Sequence, residues 1–430
     1  MLLKKLFLLD TNVLIQMPTS ISVFEDNDVR ICQATVEELD GLKNAPGDKG
    51  FNARNAIRTI YSLRAKGDIT KGVPLASGGS FAVVENVVPK GFRSTILNDD
   101  IIIATAKEMG AILVTNDVGM ILKADIQKVK TELFRNEQVS DEDFAYTGRR
   151  VLYVDDTLID EIYEKKSLGK VCDGLSANEF ILLKGKENRK KTALAFYKEK
   201  EKKLELIRGY EIEIPALFKP KNIGQKFMVK ALNESVENVP LVVIRGAAGT
   251  GKTMAALAAG LDGVEKGLYK RILLLRPNVK FDDDIGFLPG TEFEKIEPLL
   301  RPFKDNLEML MMAKKQPTSV ETLFTKGTLR AESLAYIRGR SIADTFIIVD
   351  EAQNSTPLQA KSIISRAGMN SKIVMLGDPA QIDNPKLNAR TNGLVYAASK
   401  MRGSNLCMQL VLDDEECVRC PLALDAVKRL

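Results

Sequence analysis

Short apolar runs alternate with amphipathic segments along much of the chain, and this alternation is typical of α/β domains. The first run, residues 6–9, predicts a buried strand that ends at Asp10. Runs of the same kind recur at 29–32, 112–114, 241–244, 271–275, 345–349 and 372–376. Amphipathic helices are predicted between them, for example at 35–43 and 51–66. This order of strands and helices favours parallel sheets covered by helices.

The stretch from residue 136 to 214 is less regular. Runs at 151–154, 179–183 and 192–197 predict short strands between charged turns. Residues 184–203 carry nine Lys or Arg against three Asp or Glu. This excess is compatible with a β subdomain that grips a phosphate backbone and stacks bases on Phe196 or Tyr197. The alternative, which the charge run by itself favours, is a solvated, charged hairpin.

These patterns predict three parts, since 430 residues exceed what one ordinary core accommodates. An N-terminal parallel-sheet α/β domain is expected over residues 1–135. A linker and small β-rich subdomain would follow over 136–214. A second α/β domain, of the P-loop type, is expected over 215–430.

Composition excludes several classes of chemistry. The chain has no histidine, so Ser-His and Cys-His catalysis and His-based zinc sites are excluded. Any hydrolysis must therefore use carboxylates, metal ions and positioned water. A net charge of +5 predicts no general affinity for nucleic acid, and no apolar run predicts a membrane span. Five scattered cysteines favour the reducing cytoplasm.

The clearest motif is a glycine-rich loop between an apolar strand and an Ala-rich helix. Its residues are Gly246, Ala247, Ala248, Gly249, Thr250, Gly251, Lys252 and Thr253. Strand, loop, Lys-Thr and helix in this order predict a P-loop that wraps the phosphates of ATP. Lys252 would contact the β- and γ-phosphates, and the Thr253 hydroxyl would bind Mg²⁺.

Four further residues complete a predicted nucleotide site. An apolar strand ends in Asp350 and Glu351, the pattern of a Walker B motif. Asp350 would hold Mg²⁺ through water, and Glu351 would polarise the attacking water. Gln381 follows the next strand and would sense the γ-phosphate. Gln225, about twenty residues before the P-loop, is placed to read adenine or, alternatively, to cap a helix.

Acidic residues also recur at the ends of elements in the N-terminal domain. The set is Asp10, Glu38, Asp99 and Asp117, with Asp100 as a competitor of Asp99. Side chains at the carboxyl ends of parallel strands converge on one cleft. Oxygen ligands without histidine or thiolate suit Mg²⁺ or Mn²⁺, and such a site can activate water for phosphodiester cleavage.

Residues 1–135 resemble the PIN-domain nucleases. The matching motifs are Leu9–Asn12, Glu38–Leu39, Asp99-x-x-Ile102-x-Ala104-x-Ala106 and Val114–Asp117. The resemblance implies metal-dependent ribonuclease activity with Asp10, Glu38, Asp99 and Asp117 as metal ligands. The spacing of the third motif favours Asp99 over Asp100. Some PIN proteins are toxins, so by analogy an antitoxin is a candidate partner.

Residues 215–430 resemble the PhoH ATPases, which are related to superfamily 1 helicases. The shared motifs are Arg276–Pro277, Gly286–Gly290, Leu300–Pro302, Ile337–Ser341, Asp350–Asn354, Gly377–Asp378 with Gln381–Asp383, and Arg419-x-Pro-Leu-Ala423. This resemblance implies a ring, expected to be a homohexamer, with ATP sites near subunit boundaries. Arg419, or in second place Arg366 or Arg340, would reach a neighbour's γ-phosphate.

Together the two halves predict an ATP-dependent RNA helicase or translocase coupled to metal-dependent cleavage of single-stranded or partly duplex RNA. Two alternatives stay open from the sequence. One is a DNA-directed helicase and nuclease, because no motif reads a 2′-hydroxyl. The other is an ATP-switched binding protein with an inactive nuclease domain.

Overall fold

The structure is a computed structural model of the 430-residue chain. It describes residues 4–24, 26–89, 97–134, 139–169, 172–277, 292–314, 319–337, 341–384 and 387–418. Contacts divide the described residues into two compact units, one before position 137 and one after it. Within the described ranges, no helix has the length and apolar character needed to cross a bilayer.

The first unit is an α/β layer structure. Its strands are β1 (Leu6–Leu9), β2 (Asp28–Cys32), β3 (Val73–Pro74), β4 (Ser80–Val84), β5 (Ile112–Val114) and β6 (Thr131–Glu132). Its helices are α1 (Thr11–Gln16), α2 (Gln33–Leu42), α3 (Gly47–Leu63), α4 (Asn98–Met109) and α5 (Val118–Ile126). The predicted N-terminal α/β domain is confirmed.

The strand order β3-β4-β2-β1-β5-β6 explains why the acidic residues can meet. All neighbouring strands are parallel except β3 and β4. Phe7 of β1 lies opposite Val29 on one side and Ile112 on the other. The carboxyl ends of β1 and β5 are therefore adjacent, and Asp10 and Asp117 follow those ends.

The second unit begins with the β subdomain, named here for residues 139–169 and 172–214. Its elements are α6 (Asp141–Ala145), β7 (Arg149–Val154), α7 (Asp156–Lys165), β8 (Ser167–Leu168), β9 (Phe180–Gly185), β10 (Thr192–Lys198) and β11 (Lys203–Leu206). The strand order is β7-β9-β10-β11-β8, parallel between β7 and β9 and antiparallel elsewhere. Helix α7 was not predicted.

The alternative in which Phe196 or Tyr197 stacks bases is wrong. The two side chains are buried, Phe196 in the same core as Phe227 of the following domain and Tyr197 in the core with Ile159 of α7. Strand β10 is thus covered on both faces, so neither ring is available to a base. The ring of Phe180 stacks on that of Phe227 with centroids 4.8 Å apart and strengthens this packing.

Four of the nine basic residues at 184–203 pair with acids inside the β subdomain. The pairs are Lys186–Asp155, Lys191–Asp160, Lys198–Glu205 and Lys203–Glu201. The local excess of positive charge is correspondingly reduced. This pairing favours the charged-hairpin interpretation over a phosphate grip.

The rest of the second unit is a doubly wound α/β domain. Its strands are β12 (Leu241–Gly246), β13 (Arg271–Arg276), β14 (Leu329–Ser333), β15 (Thr345–Val349), β16 (Lys372–Gly377) and β17 (Cys407–Leu412). Its helices are α8 (Ile223–Asn233), α9 (Lys252–Glu265), α10 (Glu292–Lys314), α11 (Val320–Thr325), α12 (Pro357–Ile364) and α13 (Gly393–Lys400).

This sheet has the order β14-β13-β15-β16-β12-β17, with every neighbouring pair parallel. Strands β12, β15 and β16 are buried along their whole length, as the unbroken apolar runs predicted. Edge strands β14 and β17 were not predicted. The carboxyl ends of β12, β15 and β16 meet at one edge of the sheet, where ligands bind in such folds.

Candidate active sites

The acidic cleft of the first unit centres on Asp10. Asp10 caps α1, and its Oδ1 accepts from the Thr11 N–H at 2.6 Å. Burial raises the pKa of Asp10 to about 6, although hydrogen bonds from Thr115 and Thr11 oppose that rise. Repulsion from Glu38 and Asp99 raises the pKa further. Carboxylates that repel one another in this way form a site that favours a cation.

Thr115 joins the two strand ends. Its hydroxyl donates to Asp10 Oδ2 at 2.6 Å and accepts from Asn12 Nδ2 at 3.0 Å and from the Asp117 N–H at 3.1 Å. Thr115 is fully buried, so this three-way contact is shielded from water. It fixes Asp10 and the backbone of Asp117 relative to each other.

The remaining acids differ in what they contact. Glu38 accepts from the Thr11 hydroxyl at 2.7 Å. Asp99 pairs with Lys123 at 3.2 Å, and this hydrogen bond raises the pKa of Lys123, with added attraction from Asp100 and Asp117. Asp100 instead accepts from the Leu97 N–H at the start of α4. The structure therefore brings Asp99 toward Asp10 and uses Asp100 as a helix cap.

The chemistry of this donor set fits a hard divalent cation such as Mg²⁺ or Mn²⁺, because its facing groups are carboxylates. Within the described ranges, no three acidic or cysteine side chains lie close enough together to hold a metal ion directly. Ion binding here would therefore involve water or movement of a side chain.

The P-loop follows β12 as predicted. Gly251 has φ of 85°, a left-handed conformation that glycine adopts without strain, and it caps α9. The Lys252 ammonium lies inside the loop and donates to the carbonyl oxygens of Gly246 at 2.6 Å and Ala247 at 2.8 Å. Thr250 also donates to the Ala247 carbonyl oxygen at 2.8 Å. These contacts hold the loop in a closed turn.

Asp350 and Glu351 follow β15 and face the P-loop. The Thr253 hydroxyl donates to Asp350 Oδ1 at 3.1 Å. Burial and repulsion from Glu351 raise the pKa of Asp350 to about 6, against the opposing effects of Arg276 and Thr253. Glu351 has a left-handed backbone (φ 51°), which costs energy in a non-glycine residue and is typical of functional sites.

Gln353 connects this pair to the loop after β16. Its Nε2 donates to Glu351 Oε2 at 2.6 Å and to the Gln381 carbonyl oxygen at 2.8 Å. Its Oε1 accepts from the Asp378 N–H at 3.1 Å. A fully buried glutamine thus links the glutamate and the loop predicted to sense the γ-phosphate.

A cavity of about 330 Å³ opens between these elements. Lys252, Thr253, Asp350, Glu351 and Gln381 all line it. Its remaining walls are Ala248, Gly249, Gly251, Met254, Asn306, Gly377 and Asp378. The structure therefore assembles the predicted P-loop, Walker B and Gln381 positions around one space.

Four of the predicted nucleotide-binding residues do not line the cavity; they are Gly246, Ala247, Thr250 and Gln225. Gln225 is buried, accepts from the Lys221 N–H at 2.8 Å and donates to the Thr250 carbonyl oxygen at 3.0 Å. It contacts the P-loop, while Asn222 caps α8. Arg419, the Gly286–Gly290 motif and residues 338–340 lie outside the described residues.

Several contributing residues were not in the predicted set of site residues. They are Thr115, Lys123, Arg276 and Gln353. Thr115 and Gln353 stand inside motifs that the sequence singled out, so their position was a usable signal. Lys123 had none, because a lysine on an amphipathic helix reads as solvated surface.

Comparisons with known proteins agree with this architecture. The family profile described as PhoH-like protein matches residues 217–430, and the one described as PIN domain matches residues 7–135. Protein PhoH2 of Bacillus subtilis (strain 168) is 38% identical over 421 residues, which cover 93% of this chain and 94% of that protein. The chain belongs to the PhoH-like family.

Two other relatives span the same two parts. Protein PhoH2 of Thermobispora bispora is 31% identical over 431 residues, and Protein PhoH2 of Mycolicibacterium smegmatis is 29% identical over 433 residues. Each match covers 97% of this chain and 94% of the relative. Membership of the PhoH-like family with an N-terminal PIN domain confirms the predicted resemblance. It supports, in general terms, a nucleic-acid-acting ATPase with a nuclease-like domain.

Proposed function

We propose that this PhoH-like protein is an ATP-dependent RNA translocase or helicase that cuts RNA in its PIN domain. The observation that supports the motor most directly is the Gln353 network, which joins Glu351 to the loop of Gln381. A motor must connect hydrolysis to a moving element, and this network provides a direct connection. The acidic cleft of Asp10 supplies a second, separate site for strand cleavage.

In the nucleotide site, each residue has a proposed task. Backbone N–H groups of residues 246–251 and the Lys252 ammonium bind the phosphates. Thr253 and Asp350 would hold Mg²⁺, which neutralises charge on the β- and γ-phosphates. Glu351 positions the attacking water. Its carboxylate is itself held by Gln353 and by Arg276, the latter at 3.5 Å. Gln381 contacts the γ-phosphate.

In the PIN domain, Asp10, Glu38, Asp99 and Asp117 would hold Mg²⁺ or Mn²⁺ and orient the attacking water. Such a cation would supply a water of lowered pKa and stabilise the charge that develops on the phosphate. Thr115 keeps Asp10 in place. Fusion of the two activities raises the effective concentration of the nuclease near RNA that the motor holds.

Mapping RNA cleavage with ATP, with a non-hydrolysable analogue and with neither tests both sites at once. Lys252→Ala should lose ATP hydrolysis, and a variant as active as the wild type would reject the assignment. Asp10→Asn or Asp117→Asn should abolish metal-dependent cleavage and leave ATP hydrolysis intact. Matched DNA substrates separate an RNA motor from a DNA-directed one.

The hexameric ring, the trans-acting Arg419 and an antitoxin partner are proposed on the family resemblance alone. Native mass spectrometry with and without ATP tests the ring. Mixing Lys252→Ala protein with Arg419→Ala protein tests the arginine, because a shared site between subunits would restore part of the ATP hydrolysis. A monomer under all conditions would reject both proposals.

A further inference from the structure

Arg149, the first residue of β7, joins the β subdomain to the segment that follows β17. Its guanidinium donates to both carboxylate oxygens of Glu416, at 2.9 and 2.8 Å, and also contacts Asp413. The side chains of Arg149 and Glu416 are only 15% and 14% exposed. A two-pronged pair of this kind fixes orientation as well as distance.

Glu416 also holds the start of α8. Its Oε1 accepts from the Gly224 N–H at 2.8 Å, and its carbonyl oxygen accepts from Asn222 Nδ2 at 3.0 Å. A Cβ atom on Gly224 would overlap the Glu416 carboxylate, so this close approach requires glycine. Burial alone would raise the pKa of Glu416, but the hydrogen bonds from Arg149, Asp413 and Gly224 hold it below its ordinary value. The carboxylate is therefore ionised at the positive end of α8.

Both segments that meet at Glu416 continue to the P-loop. From α8, Gln225 donates to the Thr250 carbonyl oxygen at 3.0 Å. From the other side, the Cys417 thiol donates to the Ala248 carbonyl oxygen at 3.4 Å, and the Val418 N–H donates to the Gly249 carbonyl oxygen at 3.0 Å. Three successive carbonyl groups of the loop are thus held from outside. Fixing those carbonyl groups also fixes the peptide N–H groups that face a phosphate.

We propose that Arg149 is a positioning residue of the nucleotide site: through Glu416 it keeps the P-loop in its phosphate-binding form. The β subdomain then sets the ATP affinity of the ATPase domain. Arg150, the residue after Arg149, pairs with Glu179 inside the β subdomain instead. The inference rests on the proposed ATPase function and adds a role for a segment outside the matched ATPase region.

The test uses full-length protein with Arg149→Met, Glu416→Gln and the double variant. The control is Lys186→Met, which removes a charge from an exposed pair of the same subdomain. Each single variant should raise the Kd of a fluorescent ATP analogue and the KM for ATP at least about tenfold. The turnover number at saturating ATP should change less than the KM, because Glu351 and Gln381 are untouched.

Two comparisons of Kd distinguish a positioning role of Arg149 from a role only in docking the β subdomain. Both changes break the same Arg149–Glu416 contact. The Kd of the double variant for ATP should therefore be no higher than that of the single variant with the higher Kd. Arg149→Lys keeps the charge but loses the two-pronged geometry, so its Kd should lie between those of wild type and Arg149→Met. The control should match the wild type.

Different contrary results would reject the inference about Arg149 and the proposed ATPase function. An Arg149→Met protein with a lower melting temperature and an unchanged Kd would overturn the inference and leave a docking pair. If Arg149→Met does not fold, the melting temperature and Kd of Glu416→Gln give the same test, because glutamine retains an oxygen for the Gly224 N–H. A wild type that binds no ATP would overturn the proposed function, and this inference with it.

Discussion

Gln353 Nε2 lies 2.6 Å from Glu351 Oε2, and this contact joins a buried amide to a carboxylate that lines the cavity. The same amide group donates to the Gln381 carbonyl oxygen, and its oxygen accepts from the Asp378 N–H. One side chain therefore holds the residue proposed to position water and the loop proposed to sense the γ-phosphate. A change at either end must be transmitted through this amide.

Replacing Gln353 with Ala should lower the turnover number of ATP hydrolysis at least about tenfold, because Glu351 loses its orienting partner. ATP affinity should change little, since Lys252 and Thr253 keep their contacts. The Asp378 N–H loses its acceptor in a part-buried contact, which costs about 1 kcal/mol of stability. Steady-state kinetics and a nucleotide-binding titration separate these effects.

The matched control is Gln359→Ala. Gln359 accepts from the Thr356 N–H at 3.0 Å in the capping box of α12, away from the cavity. Its loss should cost about 1 kcal/mol of stability without changing the turnover number. Equal losses of turnover in the two variants would contradict the role given to Gln353.

Asp99 and Asp100 both lie near Lys123, at 3.2 and 3.8 Å, but only Asp100 also accepts from the Leu97 N–H at the start of α4. This difference gives a second prediction. Asp99→Asn should lower metal-dependent RNA cleavage at least about tenfold, because it removes a carboxylate that faces Asp10. Asp100→Asn should weaken the start of α4 by about 1 kcal/mol and leave cleavage by the folded protein unchanged. Cleavage assays at a temperature well below both melting points compare the two. The reverse outcome would assign the site to Asp100.

The parts that could be predicted from the sequence are local. The apolar run before Asp10 and the strand, loop and helix around Lys252 each lie within about twenty residues, so pattern and chemistry are read together. Parallel pairing then brings Asp10 and Asp117 to one edge without further information.

The parts that could not be predicted depend on long-range packing. Arg149 and Glu416 are separated by 267 positions, and nothing near either residue identifies its partner. The burial of Phe196 likewise depends on α8, which covers one face of β10. Gly224 and Gly148 stand where another part of the chain comes very close. A glycine alone does not identify the segment that approaches it.

The pKa of Asp10 gives a prediction with a definite sign. Burial raises it to about 6 in the folded protein, against about 3.9 in the unfolded chain. Below about pH 3 the group is protonated in both states and costs nothing. As the pH rises from about 4 to 6, the unfolded state loses its proton first and stability falls, by about 3 kcal/mol in total. In metal-free buffer, Asp10→Asn should therefore gain melting temperature over wild type at pH 7.5, and the gain should be much smaller at pH 4.5.

Asp68 in the same unit provides a control of opposite sign. Hydrogen bonds from Thr70 lower the pKa of this exposed carboxyl group. Its contribution is present at neutral pH and is lost as the pH falls through the folded pKa. Asp68→Asn should accordingly lose, not gain, melting temperature at pH 7.5. A gain at pH 7.5 in both variants would show that general charge removal, rather than burial of Asp10, is responsible.

Gly148, just before Arg149, gives a prediction about docking of the β subdomain. It has φ of 72°, and a Cβ atom there would overlap the Gln409 carbonyl oxygen of β17. The neighbouring contact, from the Val411 N–H to the Thr147 carbonyl oxygen at 2.8 Å, would have to open. Gly148→Ala should therefore destabilise the second unit by about 3 kcal/mol or more.

Gly174→Ala is the control that separates the steric clash expected at Gly148 from the cost of a left-handed backbone. Gly174 has nearly the same φ, 69°, but no atom of another residue lies within 4 Å of a Cβ placed there. Gly174→Ala should cost only the left-handed penalty of about 1 kcal/mol. Because Gly148 precedes Arg149, Gly148→Ala should also weaken ATP binding, whereas Gly174→Ala should not. Equal melting temperatures for the two variants would contradict the tight contact between the β subdomain and β17.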